Sequence, residues 1–166
     1  PGSGPGKTFS RRKRVTRILP LMICLLLASC SRPDFSDTEG VGYFSEDLAG
    51  QWQVINYWAT WCPPCRHEIP DLVDFHNRHK GSDAVVLGVN HEYATIRELK
   101  NFKKKYKMSY PVLQGTPRTP SIDRQIRGLP TTYLVNPEGQ IVAVQSGPIS
   151  ADMLEGYINR KTDSGK

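Results

Sequence analysis

From Gln51 onward the chain alternates short apolar runs with segments in which apolar residues recur every three or four positions. Gln51 to Ala59 carries Trp52, Val54, Ile55, Tyr57 and Trp58, a β-rich run that predicts a buried strand. From Pro64 to about Arg78, Ile69, Leu72, Val73 and Phe75 fall at helical spacing, with Pro63-Pro64 preset for a first turn. Pro70 lies inside this helix and is expected to kink it. Ala84 to Val89 reads as a short apolar strand and Thr95 to Tyr106 as an amphipathic helix. Val112-Leu113, Thr132 to Val135 and Ile141 to Val144 are further short strands, the last two joined by the turn Asn136-Pro137-Glu138-Gly139. Ala151 to Asn159 closes as a helix. Strand, helix, strand, helix, hairpin and helix imply an α/β domain with a mixed central sheet flanked by helices on both faces. It spans about 41–160, a length suited to one domain, with a flexible tail at 161–166.

The residues before it follow different rules. Arg11-Arg12-Lys13-Arg14 and Arg17 precede the apolar run Ile18 to Leu27, which is broken by Pro20 and followed by Ala28-Ser29 and Cys30. Basic, apolar and small-residue parts in that order read as an export signal over residues 1–30. The apolar run is too short to cross a bilayer, which takes about twenty residues. Ser10-Arg11-Arg12 hints at a twin-arginine signal, but the rest of that pattern is absent. Leu27-Ala28-Ser29-Cys30 resembles a bacterial lipobox, which implies that Cys30 is acylated and becomes the new N-terminus, with several acyl chains giving stable anchoring. Residues 31–40, polar and punctuated by Pro33 and Gly40, then read as a tether. Pro1 to Gly6 are set aside from the fold. The expected location is the periplasmic side of a bacterial membrane, lipid-anchored through Cys30. Ser31, not aspartate, follows that cysteine, which tilts only slightly toward the outer membrane.

Charge changes meaning once residues 1–30 are removed. The chain has 22 basic and 16 acidic residues for a net charge of +6, but six of the basic residues and no acid lie before residue 31. The remainder is balanced, so the basic excess belongs to the export signal and gives no argument for nucleic-acid binding, which needs a basic surface in the mature domain; none is expected. Lys103-Lys104-Lys105 with Lys107 reads as a solvated helix end.

Four cysteines are present. Cys24 lies in the apolar signal and Cys30 at the lipobox, leaving Cys62 and Cys65 with no partners but each other. A disulfide between them would close so small a loop that it adds little stability, so a structural staple explains the pair poorly. A zinc site normally needs a second pair of ligands. His76 and His79 share a helix face, but nothing in the sequence places them beside Cys62, so no metal is expected. A sulfur where a strand meets a helix faces free backbone N–H groups and the positive end of the helix dipole, which favour thiolate. Cys62 is therefore the expected nucleophile, exposed at the helix mouth, with Cys65 shielded one turn inward. Pro63 and Pro64 remove two N–H donors, which moderates how far the thiol pKa falls.

The stretch Val54 to Cys65, "VINYWATWCPPC", Glu68 three residues after the second cysteine, Pro70 five after it, and Gly128 to Val142, "GLPTTYLVNPEGQIV", resemble the thioredoxin superfamily. The similarity is to its exported TlpA/ResA-like thiol-disulfide oxidoreductases and covers about 120 residues. It implies a thioredoxin-like fold with a βα insertion between Asn90 and Asp123, a redox disulfide Cys62–Cys65, and a cis peptide at Leu129-Pro130 that offers the Leu129 backbone to an extended substrate. Asn56 stands where thioredoxin has a buried aspartate. Glu68, on the same helix face as Cys65, is expected to take over its proton-handling role. Trp58 and Trp61 are expected to pack around the site, with Trp61 the more exposed and a substrate platform.

The resemblance implies a tethered reductant of protein disulfides with no cofactor, apocytochrome c as substrate class, and a membrane thiol as electron donor. A thioredoxin-fold peroxide reductase is the enzyme alternative, but the Pro-x-x-x-Thr-x-x-Cys context it favours is absent before Cys62. A lipid-anchored, non-catalytic binding scaffold is the alternative outside enzymes.

Overall fold

The computed structural model describes residues 32–115 and 126–163, together with Gly2 and Gly4. The chain divides at Arg32/Pro33 into two units, and the architecture below belongs to the second. Its elements are β1 (Phe35–Ser36), β2 (Gly42–Tyr43), a 3-10 turn (Ser45–Leu48), β3 (Trp52–Trp58), α1 (Pro63–His79), β4 (Ala84–Asn90), α2 (Ile96–Lys105), β5 (Val112–Gln114), β6 (Thr131–Val135), β7 (Ile141–Ser146) and α3 (Ala151–Asp163). Every strand and helix expected from the apolar pattern is present, with ends moved by a few residues. Helix α1 runs through Pro70 as one element; Pro70 supplies no N–H to the Arg66 carbonyl.

A five-stranded sheet of order β5-β4-β3-β6-β7 forms the centre. Strand β3 pairs parallel with β4 and antiparallel with β6, so the centre of the sheet is where its two directions meet. From β3 to β4 to β5 the chain steps outward in one direction, and right-handed crossovers then put α1 and α2 on the same face. Helix α3 joins them. Ile69, Leu72 and Phe75 of α1, Leu99 of α2, and Leu154 and Ile158 of α3 share one core cluster with Val54, Trp58 and Val86 of the sheet. Ile55, Tyr57, Leu87, Val89 and Tyr133 point the other way, where Leu48, Phe35, Ile126 and Leu129 cover them. Among the described residues, α1, α2 and α3 line one face, and the 3-10 turn with Leu48 covers part of the other. Residues 116–125 of the anticipated βα insertion lie outside the described residues; α2 and β5 are its described part.

The segment expected to be a tether also differs. Phe35–Ser36 pairs with Gly42–Tyr43, and the rings of Phe35 and Tyr43 stack at 5.4 Å. Asp37 organises the turn: its Oδ1 accepts from the N–H groups of Glu39 and Val41, both at 2.9 Å, and Gly40 takes the left-handed φ of +87° that closes it. The Thr38 N–H donates to the Val112 carbonyl at 2.8 Å, laying the hairpin on β5. Polar composition hid this because Asp37 satisfies backbone, not solvent.

His76 shows how the sheet margin is closed below β5. Strand β5 begins opposite Gly88, so the Val86 N–H, on the same margin of β4, donates instead to His76 Nδ1 at 3.4 Å. Burial, with Lys80 and Lys103 nearby, lowers the imidazole pKa to about 4, keeping the acceptor neutral.

Gly88 sits at the tightest point of the core. A Cβ there would meet Tyr110 Cε2 at 2.8 Å and Trp58 Nε1 at 3.1 Å, both on rigid rings in a packed interior. Gly88→Ala should lower stability by about 1–3 kcal/mol through overpacking. Urea unfolding checks this, and an unchanged midpoint would show that the rings can retreat.

Candidate active site

Strand β3 ends at Trp58, and four residues later Cys62 begins α1. Cys62 is the N-cap, with extended φ −83° and ψ 105°, and Pro63 and Pro64 fill the first two helical positions. The helix mouth therefore has few donors to satisfy. The Cys62 N–H donates to the Ala59 carbonyl at 3.2 Å, the prolines have no N–H, and the Cys65 N–H donates to Cys62 Sγ at 3.3 Å. Cys62 and Cys65 are joined by a disulfide with S–S 2.01 Å and Cα–Cα 5.3 Å. Both are buried in this oxidised form, at 2% and 1% exposure, so the expected contrast in exposure is absent. What distinguishes Cys62 is its place at the helix end and the N–H that its sulfur accepts.

Glu68 lies one turn beyond Cys65, 2% exposed, between α1 and the sheet. Its Oε1 accepts from Asn56 Nδ2 at 2.8 Å and its Oε2 from the Ile149 N–H at 2.9 Å. Asn56 also donates to Thr132 Oγ1 at 3.0 Å, so the carboxyl is tied through β3 to β6. Burial raises the Glu68 pKa to about 7, with nearby Asp71 adding to the rise; the two N–H donors oppose both without cancelling them. A group poised near neutrality can both take and give a proton. Asn56, noted in the sequence as a missing acceptor, thus acts as a donor to Glu68. Its partnership was legible only in the alternation Val54, Asn56, Trp58, which points it at α1.

Leu129-Pro130 is a cis peptide immediately before β6. Thr131 lies opposite Tyr57, so this turn sits at the end of the sheet from which β3 delivers the cysteines. The Gly128 carbonyl accepts from Thr131 Oγ1 and the Pro130 carbonyl from the Gly147 N–H, at 2.7 and 2.9 Å. No hydrogen bond engages the Leu129 main chain among the described residues. Trp58 is core, 2% exposed and stacked on Phe102 at 5.0 Å, whereas Trp61 is 64% exposed. His67 is exposed and Arg66 half-buried.

One residue escaped the sequence. Glu92, just past β4, accepts from the Thr60 N–H at 2.7 Å and from Asn90 Nδ2 at 3.0 Å, fixing the loop before Trp61. His79 binds Asp83 and Glu155, each at 2.9 Å, and no cluster of metal-ligating side chains occurs among the described residues. Cys30 and the rest of the signal lie outside the described residues.

A cysteine pair capping a helix at the end of a mixed sheet, with a buried carboxyl behind it and a cis-proline turn beside it, defines a thiol-disulfide oxidoreductase of thioredoxin-like fold. The AhpC/TSA family profile matches residues 30–144, and the chain belongs to that family. It is 34% identical to the thiol-disulfide oxidoreductase ResA of Bacillus subtilis (strain 168) over 129 residues, 76% of this chain and 72% of the relative. Among solved structures it resembles a thiol:disulfide interchange protein of the thioredoxin family from Chlorobium tepidum, with TM-score 0.62 and 29% identity over 78% of this chain and 97% of that one. StoA from Bacillus subtilis is similar too, with TM-score 0.63 and 26% identity over 75% of this chain and 93% of that one.

A carboxyl whose folded pKa stands above its unfolded value favours the fold when protonated. Stability should therefore fall as pH rises through the window from 4.5 to about 7, and stay lowered above it. Glu68→Gln removes this titration but leaves one N–H donor facing the new amide. Between about pH 4 and about pH 8 the variant should gain on the parent by on the order of 2 kcal/mol. Denaturant unfolding at the two pH values measures it, and a pH-independent difference would mean that Glu68 is not raised.

Proposed function

We propose that the protein is an extracytoplasmic reductant of protein disulfides, tethered to a bacterial membrane by acylated Cys30, with apocytochrome c as substrate class. The observation that carries this reading is a cysteine pair at the mouth of α1 backed by a buried carboxyl with a pKa of about 7. In the reduced protein, the Cys62 thiolate attacks a substrate disulfide and displaces one substrate sulfur as thiolate. Cys65 then gives its proton to Glu68 and attacks Cys62 Sγ, releasing the second substrate sulfur and leaving the Cys62–Cys65 disulfide. Two electrons pass to the substrate, and a membrane thiol donor restores them. Leu129 and Pro130 present backbone to an extended peptide, and the exposed Trp61 ring gives it an apolar surface. Residues 1–30 serve as a lipoprotein signal and the residues up to Pro33 as the leash; of the expected tail at 161–166, residues 161–163 belong to α3.

Cys65→Ser should hold substrates as mixed disulfides on Cys62, where they can be identified after non-reducing separation, and Cys62→Ser should abolish insulin reduction. Retention of physiological activity by Cys62→Ser would mean that the fold acts as a scaffold.

Anchoring is tested separately. Cys30→Ala should abolish metabolic labelling with palmitate and leave the protein as unprocessed precursor or free of the membrane. Label persisting in the variant would place the lipid elsewhere.

A further inference from the structure

On the α1 side of the sheet, three buried polar atoms lack a hydrogen-bond partner among the described residues: Trp58 Nε1, Tyr110 Oη and Asn90 Oδ1. They belong to one neighbourhood. Trp58 pairs with Asn90 across β3 and β4, and Gly88, two positions before Asn90, faces the same side. The Tyr110 ring and the Trp58 indole both crowd over Gly88. Gly88 in turn pairs with Asn56, whose side chain holds Glu68. Asn90 donates its Nδ2 to the Glu92 carboxylate, which fixes its Oδ1 as the remaining acceptor. Asn90 and Glu92 border a cavity of about 740 Å³ at the carboxyl ends of β4 and β5, also lined by Thr95 and Gln114.

The three atoms are chemically complementary. An indole N–H only donates, an amide oxygen only accepts, and a phenol does both. Buried polar groups in folded proteins are almost always partnered, and where protein does not reach them an internal water with about three partners does. Glu68 has a further need for such a partner. It is 2% exposed, and a peptide bound over Trp61 and the Leu129 turn would cover the cysteine side of the site.

We propose that Tyr110 Oη, Trp58 Nε1 and Asn90 Oδ1 hold an internal water that links Glu68 to the cavity at Asn90, giving the proton taken from Cys65 a way out while substrate occupies the site. Tyr110 is a positioning residue of this route. The inference rests on Glu68 as the proton acceptor of the resolving step. The balance is simple: the Cys65 thiol proton passes to the Glu68 carboxylate as the Cys62–Cys65 bond forms. Glu68 then gives a proton to the held water, and one leaves to solvent at the cavity. No electron moves along the route. The titratable and polar groups acting on Glu68 are Asp71 on its own helix, Asn56 from β3 with Thr132 of β6 bonded behind it, the Ile149 N–H before α3, and Tyr110 before β5. His76 lies edge-on to Tyr110 at 6.2 Å and is neutral at working pH, so it does not compete for the proton. Burial and the Glu68 charge push the Tyr110 hydroxyl pKa up, so it relays by hydrogen bonding without ionising.

Tyr110→Phe keeps the ring and removes only the oxygen. In rapid-mixing measurements with a model disulfide, the parent, Tyr110→Phe, Glu68→Gln and the double variant are compared for Cys62 attack and Cys65 resolution across pH. Tyr110→Phe is expected to leave attack unchanged, slow resolution roughly 3- to 10-fold and shift its pH profile, with no further loss when combined with Glu68→Gln. In the parent, the Trp58 indole proton should also show a nuclear Overhauser contact to a long-lived water, lost in Tyr110→Phe. If Glu68→Gln slows resolution while Tyr110→Phe resolves at the parental rate and pH profile, the route is overturned and the role of Glu68 stands. If Glu68→Gln itself resolves normally, that role falls and the route with it. Absence of a water contact at the parental indole would likewise overturn the proposal, whatever the variants do.

Discussion

A carboxyl group buried between a helix and a sheet has to be met by N–H groups from elsewhere in the chain, and meeting Glu68 ties this fold together. Asn56 comes from the middle of β3, and the Ile149 N–H comes from the turn that opens α3. The two donors hold α1 against the sheet on one side and against α3 on the other. They also set the chemistry, since burial raises the proton affinity of the carboxyl and the donors limit the rise. A fully apolar residue at this position would pack as well but would leave Asn56 Nδ2 and the Ile149 N–H without their acceptor.

The β3–α1 junction works by subtraction. Helix N-termini ordinarily present several N–H groups to whatever sits at the cap. Here two prolines remove theirs, and the donor left to Cys62 Sγ is the backbone of Cys65. The sulfur thus keeps the dipole of a helix of 17 residues while losing most of its direct hydrogen bonds. Placement of the turn at Leu129-Pro130 opposite this junction follows from the antiparallel pairing of β3 with β6, which brings the start of one strand beside the end of the other.

Local patterns were legible in the sequence because they repeat. The period of two in Trp52, Val54, Asn56, Trp58 and the helical spacing of Ile69, Leu72 and Phe75 fix element type without tertiary information. Cys62, Cys65, Glu68 and Leu129-Pro130 were legible as a motif, and all lie at one end of the sheet. What did not repeat could not be read. The turn at Asp37 satisfies backbone through one side chain, so it looks like polar linker. Which face each particular helix covers depends on strand order, which composition does not carry. Tyr110 and Gly88 read as an ordinary aromatic and an ordinary small residue until β4 and the segment before β5 are brought together in space. Glu92 acquires its role only because β4 ends beside Thr60.

The hairpin of β1 and β2 has a mechanical consequence. It hangs on β5, the outermost strand on its side, through the Thr38–Val112 hydrogen bond and the Asp37–Leu113 bridge. Tension applied to the residues before Pro33 enters the domain there. It loads first the Asp34–Tyr43 and Thr38–Val112 hydrogen bonds, two strands away from β3. These bonds therefore stand between such a pull and the strand that delivers the cysteines.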